Sequence, residues 1–229
     1  MSGANSLRSS RSDADAEPRL VLASSSVYRR DLMRWLNTPF SWRAPYIDET
    51  PRTSESPDEL VRRLSIAKAR AIAPAFNRHY IIGSDQIALH GMEVLGKPNS
   101  RERAAEQLAA ASGCVVRFLT GLCVLESSTD TCQVEVVPCD VHFRNLTRTQ
   151  IEAYLDAEAP YDCAGSFKAE GLGIALFDKI VCDDPTALTG LPLIELVAML
   201  RYLGLDVLGK RGAAFPPAEF QHGQSGGAT

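Results

Sequence analysis

The sequence lacks the features of several broad classes of protein. It has no apolar run near the roughly 20 residues that a membrane-spanning helix needs, which argues against a transmembrane protein. The N-terminal segment contains Arg8 and Arg11 but no apolar stretch beside them, so no secretory signal is predicted. The six cysteines form no CxxC pair and have no histidine partners at zinc-finger spacing. We therefore expect reduced thiols in a cytoplasmic protein.

Several catalytic signatures are absent as well. No GxxxxGK[ST] segment occurs, which excludes a P-loop NTPase, and no GxGxxG follows a strand, which argues against a dinucleotide dehydrogenase. The four histidines have no serine or cysteine companion in a known motif, so a catalytic triad is not predicted. The net charge of -4 gives no general attraction to polymeric nucleic acid or to a membrane. Any anion must therefore be bound by a few locally placed cations.

The composition that is present is that of a globular protein, with 45% hydrophobic and 23% charged residues. Residues 1–18 are rich in Ser, Arg, Asp and Ala and have almost no large apolar side chain, which predicts a disordered tail. Residues 211–229 are predicted to be a second disordered tail. The sequence thus predicts one folded domain over residues 19–210.

Strand and helix signals alternate within this domain, which indicates an α/β protein with a mixed sheet. Ser56 and Glu59 form a capping box with Pro57 at the first helical position, so a helix begins there. Its predicted apolar stripe is Leu60, Leu64, Ala67 and Ala71. Strands are predicted over residues 20–23, 80–85, 115–125, 134–143 and 174–181. Further helices are predicted from the serines after the first strand to about residue 36, and over residues 99–113, 147–158 and 193–204.

The turn after the first predicted strand places Ser24, Ser25 and Ser26 at a helix N-terminus. Free backbone N–H groups and the helix dipole favour an anion there. Arg29 and Arg30 lie in the first turn, where the dipole disfavours cations. Two interpretations follow from the residues: a serine cap with two solvated arginines, or a phosphate site whose bound anion reverses the local electrostatics.

Other charged residues stand beside predicted elements. Asp85 follows an apolar strand, at the place where α/β sheets keep ligand crevices, although an Asp there can also cap a turn. Glu49 lies in a loop, where carboxylates are usually solvated. Lys68 lies beside the apolar stripe of its helix and can point to the core edge or into a cleft. Pro98 holds Lys97 extended, and a glycine-flanked segment around Glu170 is predicted to be a binding loop.

Together these residues favour a site for a metal-bridged polyphosphate. Glu49 and Asp85 supply carboxylates for a hard cation, and Arg29, Lys68 and Lys97 supply positive charge for phosphate oxygens.

The same residues resemble the motifs of the Maf family of nucleotide pyrophosphatases. The resemblance runs in the family's order from Leu20 to about Gly204. It consists of Leu20–Arg30, Asp48–Thr50, Arg63-Leu64 with Lys68-Ala69, Gly83–Gln86, Gly96–Pro98, Ser112-Gly113, Thr120-Gly121 and Gly190–Leu193. The resemblance implies a twisted mixed sheet flanked by helices, with a central cleft, as in inosine triphosphatases.

The resemblance also implies a reaction, which is hydrolysis between the α and β phosphates with Mg²⁺ or Mn²⁺. Asp85 is then the catalytic carboxylate, and Glu49 completes the metal site with it. Ser24, Arg29, Lys68 and Lys97 hold the triphosphate and its developing charge. The family is commonly dimeric, so a homodimer is implied too.

The segment from Cys163 to Gly171 resembles the branch of the family that hydrolyses 7-methyl-GTP. In that branch the positions matching Tyr28, Gln86 and Glu170 set the choice of base, and Glu170 accepts a bond from the guanine edge. Gln86 stands where the dTTP- and UTP-directed branch usually has Thr. The sequence departs from the family pattern at Val27, which replaces the common Pro, and at Tyr28, where Trp is frequent.

Two alternatives stay open from the sequence. One is a pyrophosphatase for a different base, such as dTTP, UTP, CTP or an inosine nucleotide. The other is a nucleotide-binding regulator of septum formation with negligible turnover.

Overall fold

The computed structural model describes residues 19–209 and shows a seven-stranded mixed sheet with helices on both faces. This confirms the predicted α/β fold class. The two predicted tails, 1–18 and 211–229, lie outside the described residues. No helix within 19–209 is both long enough and apolar enough to cross a membrane.

The elements follow one another closely along the chain. The strands are β1 (Arg19–Ala23), β2 (Phe40–Arg43), β3 (His79–His90), β4 (Glu93–Leu95), β5 (Val115–Glu126), β6 (Thr131–Phe143) and β7 (Phe177–Cys182). The helices are α1 (Val27–Trp35), α2 (Pro57–Ile72), α3 (Arg101–Ala111), α4 (Arg148–Glu158) and α5 (Leu193–Tyr202). A 3-10 turn, Pro185–Thr189, precedes α5.

The strand order is β2-β1-β3-β5-β6-β7, with β4 paired to β3. β1 is parallel to β2 and β3, whereas β3, β5, β6 and β7 are successively antiparallel. The sequence did not predict β2 or β4, because elements of 4 and 3 residues are too short to show an alternating pattern.

The edge of β3 that faces β1 is interrupted. β5 pairs with β3 from Tyr80 to His90 and so covers the other edge. On the β1 side, pairing stops at Gly83 and resumes with β4 at Ala88. Residues 84–87 therefore have no strand partner on that side among the described residues, a gap of about 13 Å at the usual rise per residue. We call this gap the notch.

The notch corrects one prediction. The strand predicted to end near Asp85 continues to His90, so Asp85 lies inside β3 and not after it. The strand that does end beside Asp85 is β1, and the crevice opens beyond its carboxyl end.

The helices divide between the two faces of the sheet. Leu20, Leu22 and Ile82 pack with α1 and α5, whereas Val21 and Ile81 point to the opposite face and pack with α2. This alternation is the period of two that β-strands impose. Helices α3 and α4 pack against the far end of the sheet, around Phe118 and Val141.

Helix α2 lies unusually close to the sheet because two glycines face it. A Cβ on Gly83 would approach the backbone nitrogen of Ala69 to 2.9 Å, and one on Gly121 would approach the carbonyl carbon of Val61 to 2.8 Å. Both positions therefore require the absence of a side chain.

The sequence predicted the start of α2 but not all of its buried face. The capping box of Ser56 and Glu59 and the N-terminal Pro57 are confirmed. The predicted stripe is wrong at Ala71, which is exposed, and only partly right at Ala67, which is half-buried. Ser65 and Lys68 are buried instead, because the glycines let polar side chains of α2 reach the sheet.

Two other boundaries differ from prediction. Helix α3 is capped by Ser100, with Asn99 outside it at a φ of 58°. Strand β7 begins at Phe177, because Leu172–Leu176 form a 3-10 turn where a strand was predicted.

Candidate functional site

The nine site residues that the sequence suggested all line one cleft. The cleft opens at the notch and has a volume of about 460 Å³. Its predicted residues are Ser24, Tyr28, Arg29, Glu49, Lys68, Asp85, Gln86, Lys97 and Glu170. Residues far apart in sequence thus converge on one place.

Lys68 joins two carboxylates on the α2 face of the sheet. Its ammonium donates to Asp85 Oδ1 in a short ion pair and lies 2.9 Å from Glu49 Oε1. Lys68 and Asp85 are both buried, whereas Glu49 is exposed at the rim. A buried carboxylate needs such a partner, because an uncompensated charge is costly away from water.

The donor set is compatible with a divalent cation held jointly with a ligand. Within residues 19–209 no group of three His, Cys, Asp or Glu side chains could hold a metal alone. Glu49 and Asp85 do converge, since they share the Lys68 ammonium. Mg²⁺ is commonly bound by one or two carboxylates together with substrate phosphates, so these two residues fit that mode.

Arg29 is held at the cleft by a backbone carbonyl. Its Nε donates to Gly190 O at 2.7 Å, and the Ser84 hydroxyl donates to the same oxygen at 2.9 Å. Desolvation lowers the pKa of Arg29, and the charges of Asp85 and Glu49 oppose that shift. A guanidinium stays charged under these conditions, so Arg29 brings a fixed cation to the side of the cleft that holds both carboxylates.

The serines after β1 form the predicted helix N-terminus. Ser26 caps α1 by accepting from Arg29 N at 3.3 Å, and the buried Ser24 accepts from Ser26 N at 3.1 Å. The serine cap is confirmed, whereas the interpretation of solvated arginines is wrong for Arg29, which is desolvated. Arg29 enters the cleft, whereas Arg30 lies 4.2 Å above the ring of Trp42.

A different set of groups lies around Tyr28. Burial raises the pKa of its hydroxyl, and the charges of Asp162 and Glu170 add to that rise. Both carboxylates line the cleft, so this end is acidic, in contrast to the end that holds Arg29 and Lys68. Lys168 lies close enough to Tyr28 to act on it electrostatically.

The loop that carries Glu170 is attached to α4. Lys168 N donates to the hydroxyl of Tyr154 at 3.1 Å, and Leu172 N donates to Glu158 Oε1 at 2.9 Å. These two bonds flank Glu170 on either side. The predicted binding loop is therefore fixed by a neighbouring helix.

Gln86 points to the face opposite Asp85, because the two are successive residues of one strand. Its side-chain nitrogen, which carries two hydrogens, lies within hydrogen-bond distance of Thr120 Oγ1, Ala187 O and Leu188 O, at 2.9, 2.7 and 3.1 Å. At the notch a single ligand can therefore reach groups on both faces of the sheet.

Lys97 reaches the cleft from the segment between β4 and α3. The preceding carbonyl, Gly96 O, accepts from Gln107 Nε2 at 3.1 Å, and Gln107 Oε1 accepts from the buried Ser166 hydroxyl. Gln107 on α3 thus connects the Lys97 segment with the loop that leads to Glu170.

Sequence reasoning missed the residues that hold the site together. Gln107 and Glu158 carry no local motif, since each acts through a partner distant in sequence. Asp184 instead caps the 3-10 turn that follows it. Asp184 accepts from Thr186 Oγ1 at 2.6 Å and from Ile194 N at 2.7 Å, and so joins the 3-10 turn to α5. Gly190, which has a left-handed φ of 104°, belongs to one of the motifs quoted above. The motif did not predict that the carbonyl oxygen of Gly190 accepts hydrogen bonds from Arg29 and Ser84.

The fold and the site together define a class of protein. This is an α/β protein in which cations and two carboxylates lie beyond the carboxyl end of a parallel strand. Such a site is typical of proteins that bind a phosphorylated ligand. The chain belongs to the Maf family: the family model described as Maf-like protein matches residues 19–203.

Curated relatives match the chain over nearly their whole length. A 7-methyl-GTP pyrophosphatase of Pseudomonas savastanoi pv. phaseolicola is 56% identical over 190 residues, which cover 83% of this chain and 99% of the relative. A protein of the same name from Pseudomonas aeruginosa is 53% identical over 190 residues, with the same coverage. Another, from Pseudoalteromonas translucida, is 49% identical over 189 residues, covering 82% of this chain and 94% of the relative.

Proposed function

We propose that this protein hydrolyses 7-methyl-GTP to 7-methyl-GMP and pyrophosphate. The observation that carries the proposal is the placement of Asp85 and Gln86 at the notch. Asp85 meets Lys68 on one face of β3, whereas the next residue, Gln86, lines the same cleft from the other face. The names of the relatives support the substrate, and they do not favour dTTP, UTP or CTP, or a regulator without turnover.

In the reaction, water attacks phosphorus at the α–β bridge, a new P–O bond forms and the bridging P–O bond breaks. Asp85 accepts the proton of the attacking water. Arg29, Lys68 and Lys97 hold the phosphate oxygens and the negative charge that develops on them, and Ser24 adds a hydroxyl at the α1 N-terminus. The leaving group is pyrophosphate.

A divalent cation, Mg²⁺ or Mn²⁺, is part of the proposal. Glu49 and Asp85 would hold it together with the phosphates, and when bound it neutralises charge on them. Removal of the metal with a chelator is expected to stop pyrophosphate release, and restoring Mg²⁺ or Mn²⁺ to recover it.

The base is selected at the acidic end of the cleft. The 7-methylguanine ring carries a positive charge, which suits the face of Tyr28 and the carboxylates Asp162 and Glu170. Glu170 accepts from the donors on the guanine edge. GTP lacks the positive charge, so it is expected to be a poorer substrate than 7-methyl-GTP.

Asp85→Asn is expected to abolish pyrophosphate release while the protein stays folded. The amide cannot take a proton from water, but Lys68 keeps its ion pair with Glu49. The measurement is pyrophosphate release from 7-methyl-GTP, with circular dichroism to confirm the fold. Near-parental turnover by Asp85→Asn would show that the catalytic assignment is wrong.

A substrate panel separates this proposal from its rivals. It compares 7-methyl-GTP, GTP, dTTP, UTP, CTP and ITP with wild type, Gln86→Thr and Glu170→Ala. Equal rates on GTP and 7-methyl-GTP would defeat the base assignment, and binding without pyrophosphate release would favour the regulator.

A cytoplasmic homodimer belongs to the same proposal, and the mass of the protein in solution tests whether it is a dimer.

A further inference from the structure

The hydrogen bonds of Gln86 determine which atom of its amide can meet the ligand. Backbone carbonyls only accept, so Ala187 O and Leu188 O, at 2.7 and 3.1 Å, must face the amide nitrogen. The side-chain oxygen therefore lies on the other side of the amide and is the atom available to a ligand in the cleft.

Thr120 completes this arrangement from the neighbouring strand. It lies directly opposite Gln86 in the β3–β5 pair and is fully buried. Its hydroxyl donates to Ala187 O at 2.9 Å and accepts from Gln86 Nε2 at 2.9 Å. One hydroxyl thus connects the turn Pro185–Thr189 to the amide of Gln86.

We infer that Thr120 is a positioning residue for base selection, which acts by holding the Gln86 amide with its oxygen toward the base. The inference rests on the proposed function, because it assigns how that cleft selects guanine. With the nitrogen engaged, Gln86 presents its Oε1 as an acceptor, and the Glu170 carboxylate lines the same cleft as a second acceptor. The guanine edge offers two adjacent donors, N1–H and the 2-amino group, whereas uracil offers one N–H between two carbonyls.

The test compares Thr120→Val and Thr120→Ser by the ratio of kcat/KM for 7-methyl-GTP to that for UTP. Valine keeps the shape but removes the hydroxyl, so the ratio should fall about three- to tenfold, the value of one hydrogen bond, chiefly through a higher KM for 7-methyl-GTP. Serine restores the hydroxyl and should restore the ratio. Ser65→Ala removes another buried hydroxyl, which bonds within α2, and is the matched control for stability.

A double-mutant cycle shows whether Thr120 acts through Gln86. In a Gln86→Leu background, Thr120→Val should produce no further fall in the ratio. Additive effects, an unchanged ratio in Thr120→Val, or an equal loss in Thr120→Ser would each overturn the inference. Thr120→Ala replaces Thr120→Val in the cycle if the valine variant does not fold.

The outcome also separates the inference from the proposed function. If wild type prefers UTP to 7-methyl-GTP, the proposed function fails. The double-mutant cycle of Thr120 and Gln86, measured by kcat/KM for UTP, then tests the inference by itself. If wild type prefers 7-methyl-GTP but the ratio does not respond to Thr120→Val, the inference alone is wrong.

Discussion

At the scale of single residues, Lys68 determines the electrostatics of the cleft. Its ammonium is buried and pairs with Asp85 and Glu49 at once. Replacing it by an apolar residue would remove the ion-pair partner of the buried Asp85, and such changes are strongly destabilising in general. Binding and stability are therefore not separable at this residue.

The loop that carries Glu49 depends on a second ion pair. Arg63 donates to Glu55 Oε1 at 2.5 Å and to Thr50 O at 3.1 Å, so it fastens the loop to α2. The hydrogen bond from Arg63 is the main cause that lowers the pKa of Glu55 from 4.5 to about 2. Because the folded-state pKa is the lower one, the stabilisation is complete above the ordinary pKa and is lost as pH falls toward about 2.

We expect acid to loosen this loop between those two pH values, and NMR titration of the Glu55 carboxyl measures it. Arg63→Gln should return the pKa of Glu55 toward 4.5. A Glu55 pKa of 4.5 in wild type would contradict the structure of this loop.

The sequence identified the residues that line the cleft but not those that orient them. Asp85, Lys68 and Arg29 belong to short motifs whose resemblance to a family could be seen without a structure. Gln107 acts on partners 11 and 59 positions away, and no local pattern marks such a residue.

At the scale of elements, the contact between α2 and the sheet brings Lys68 to Asp85. Gly83 and Gly121 remove the two side chains that would hold the helix away. The periodicity of α2 alone predicted an alanine at the inward position and left Lys68 at the flank. The rotation of α2 about its own axis, which decides the residues that face the sheet, depends on glycines in β3 and β5. It could therefore not be predicted from the helix sequence.

Gly121→Ala is expected to destabilise the protein by about 1–3 kcal/mol and to lower turnover, because the new methyl group would press on Val61 and shift the helix that carries Lys68. Urea denaturation and pyrophosphate release measure the two effects. Gly96→Ala is the matched control, since a Cβ there meets nothing within 4 Å. Equal stability of the two variants would show that the helix does not rest on the sheet at Gly121.

Gln107→Leu is expected to raise the KM for the nucleotide, because the bond to Gly96 O and the bond from Ser166 are both lost. Steady-state kinetics on 7-methyl-GTP measures this. Glu106→Leu, an exposed neighbour on the same helix, should leave KM unchanged. An unaltered KM in Gln107→Leu would mean that Lys97 is positioned without α3.

At the scale of the whole molecule, the cleft draws on most of the fold. Groups from α1, α2, β3 and the loops around Lys97 and Glu170 meet at the notch, and the family match spans residues 19–203. A fragment containing 19–210 is thus expected to keep the melting temperature and turnover of the full chain. Thermal denaturation and kinetics of the fragment test this, and a large loss of either would assign a role to 1–18 or 211–229.

The notch also has a consequence for the order in which parts of the molecule open. Asp85 and Gln86 lie in the central strand, which is paired with β5 from Tyr80 to His90, so this strand should separate from the sheet only when the protein unfolds globally. Because successive amides of a strand point to opposite edges, one of these two amide hydrogens faces β5 and the other faces the notch, and the one that faces β5 should exchange more slowly. Glu49 and Glu170 lie in loops, and loops open locally at a lower free energy than global unfolding requires. Asp85 thus lies on a strand that opens only with the whole fold, while Glu49 and Glu170 lie on segments that can open locally.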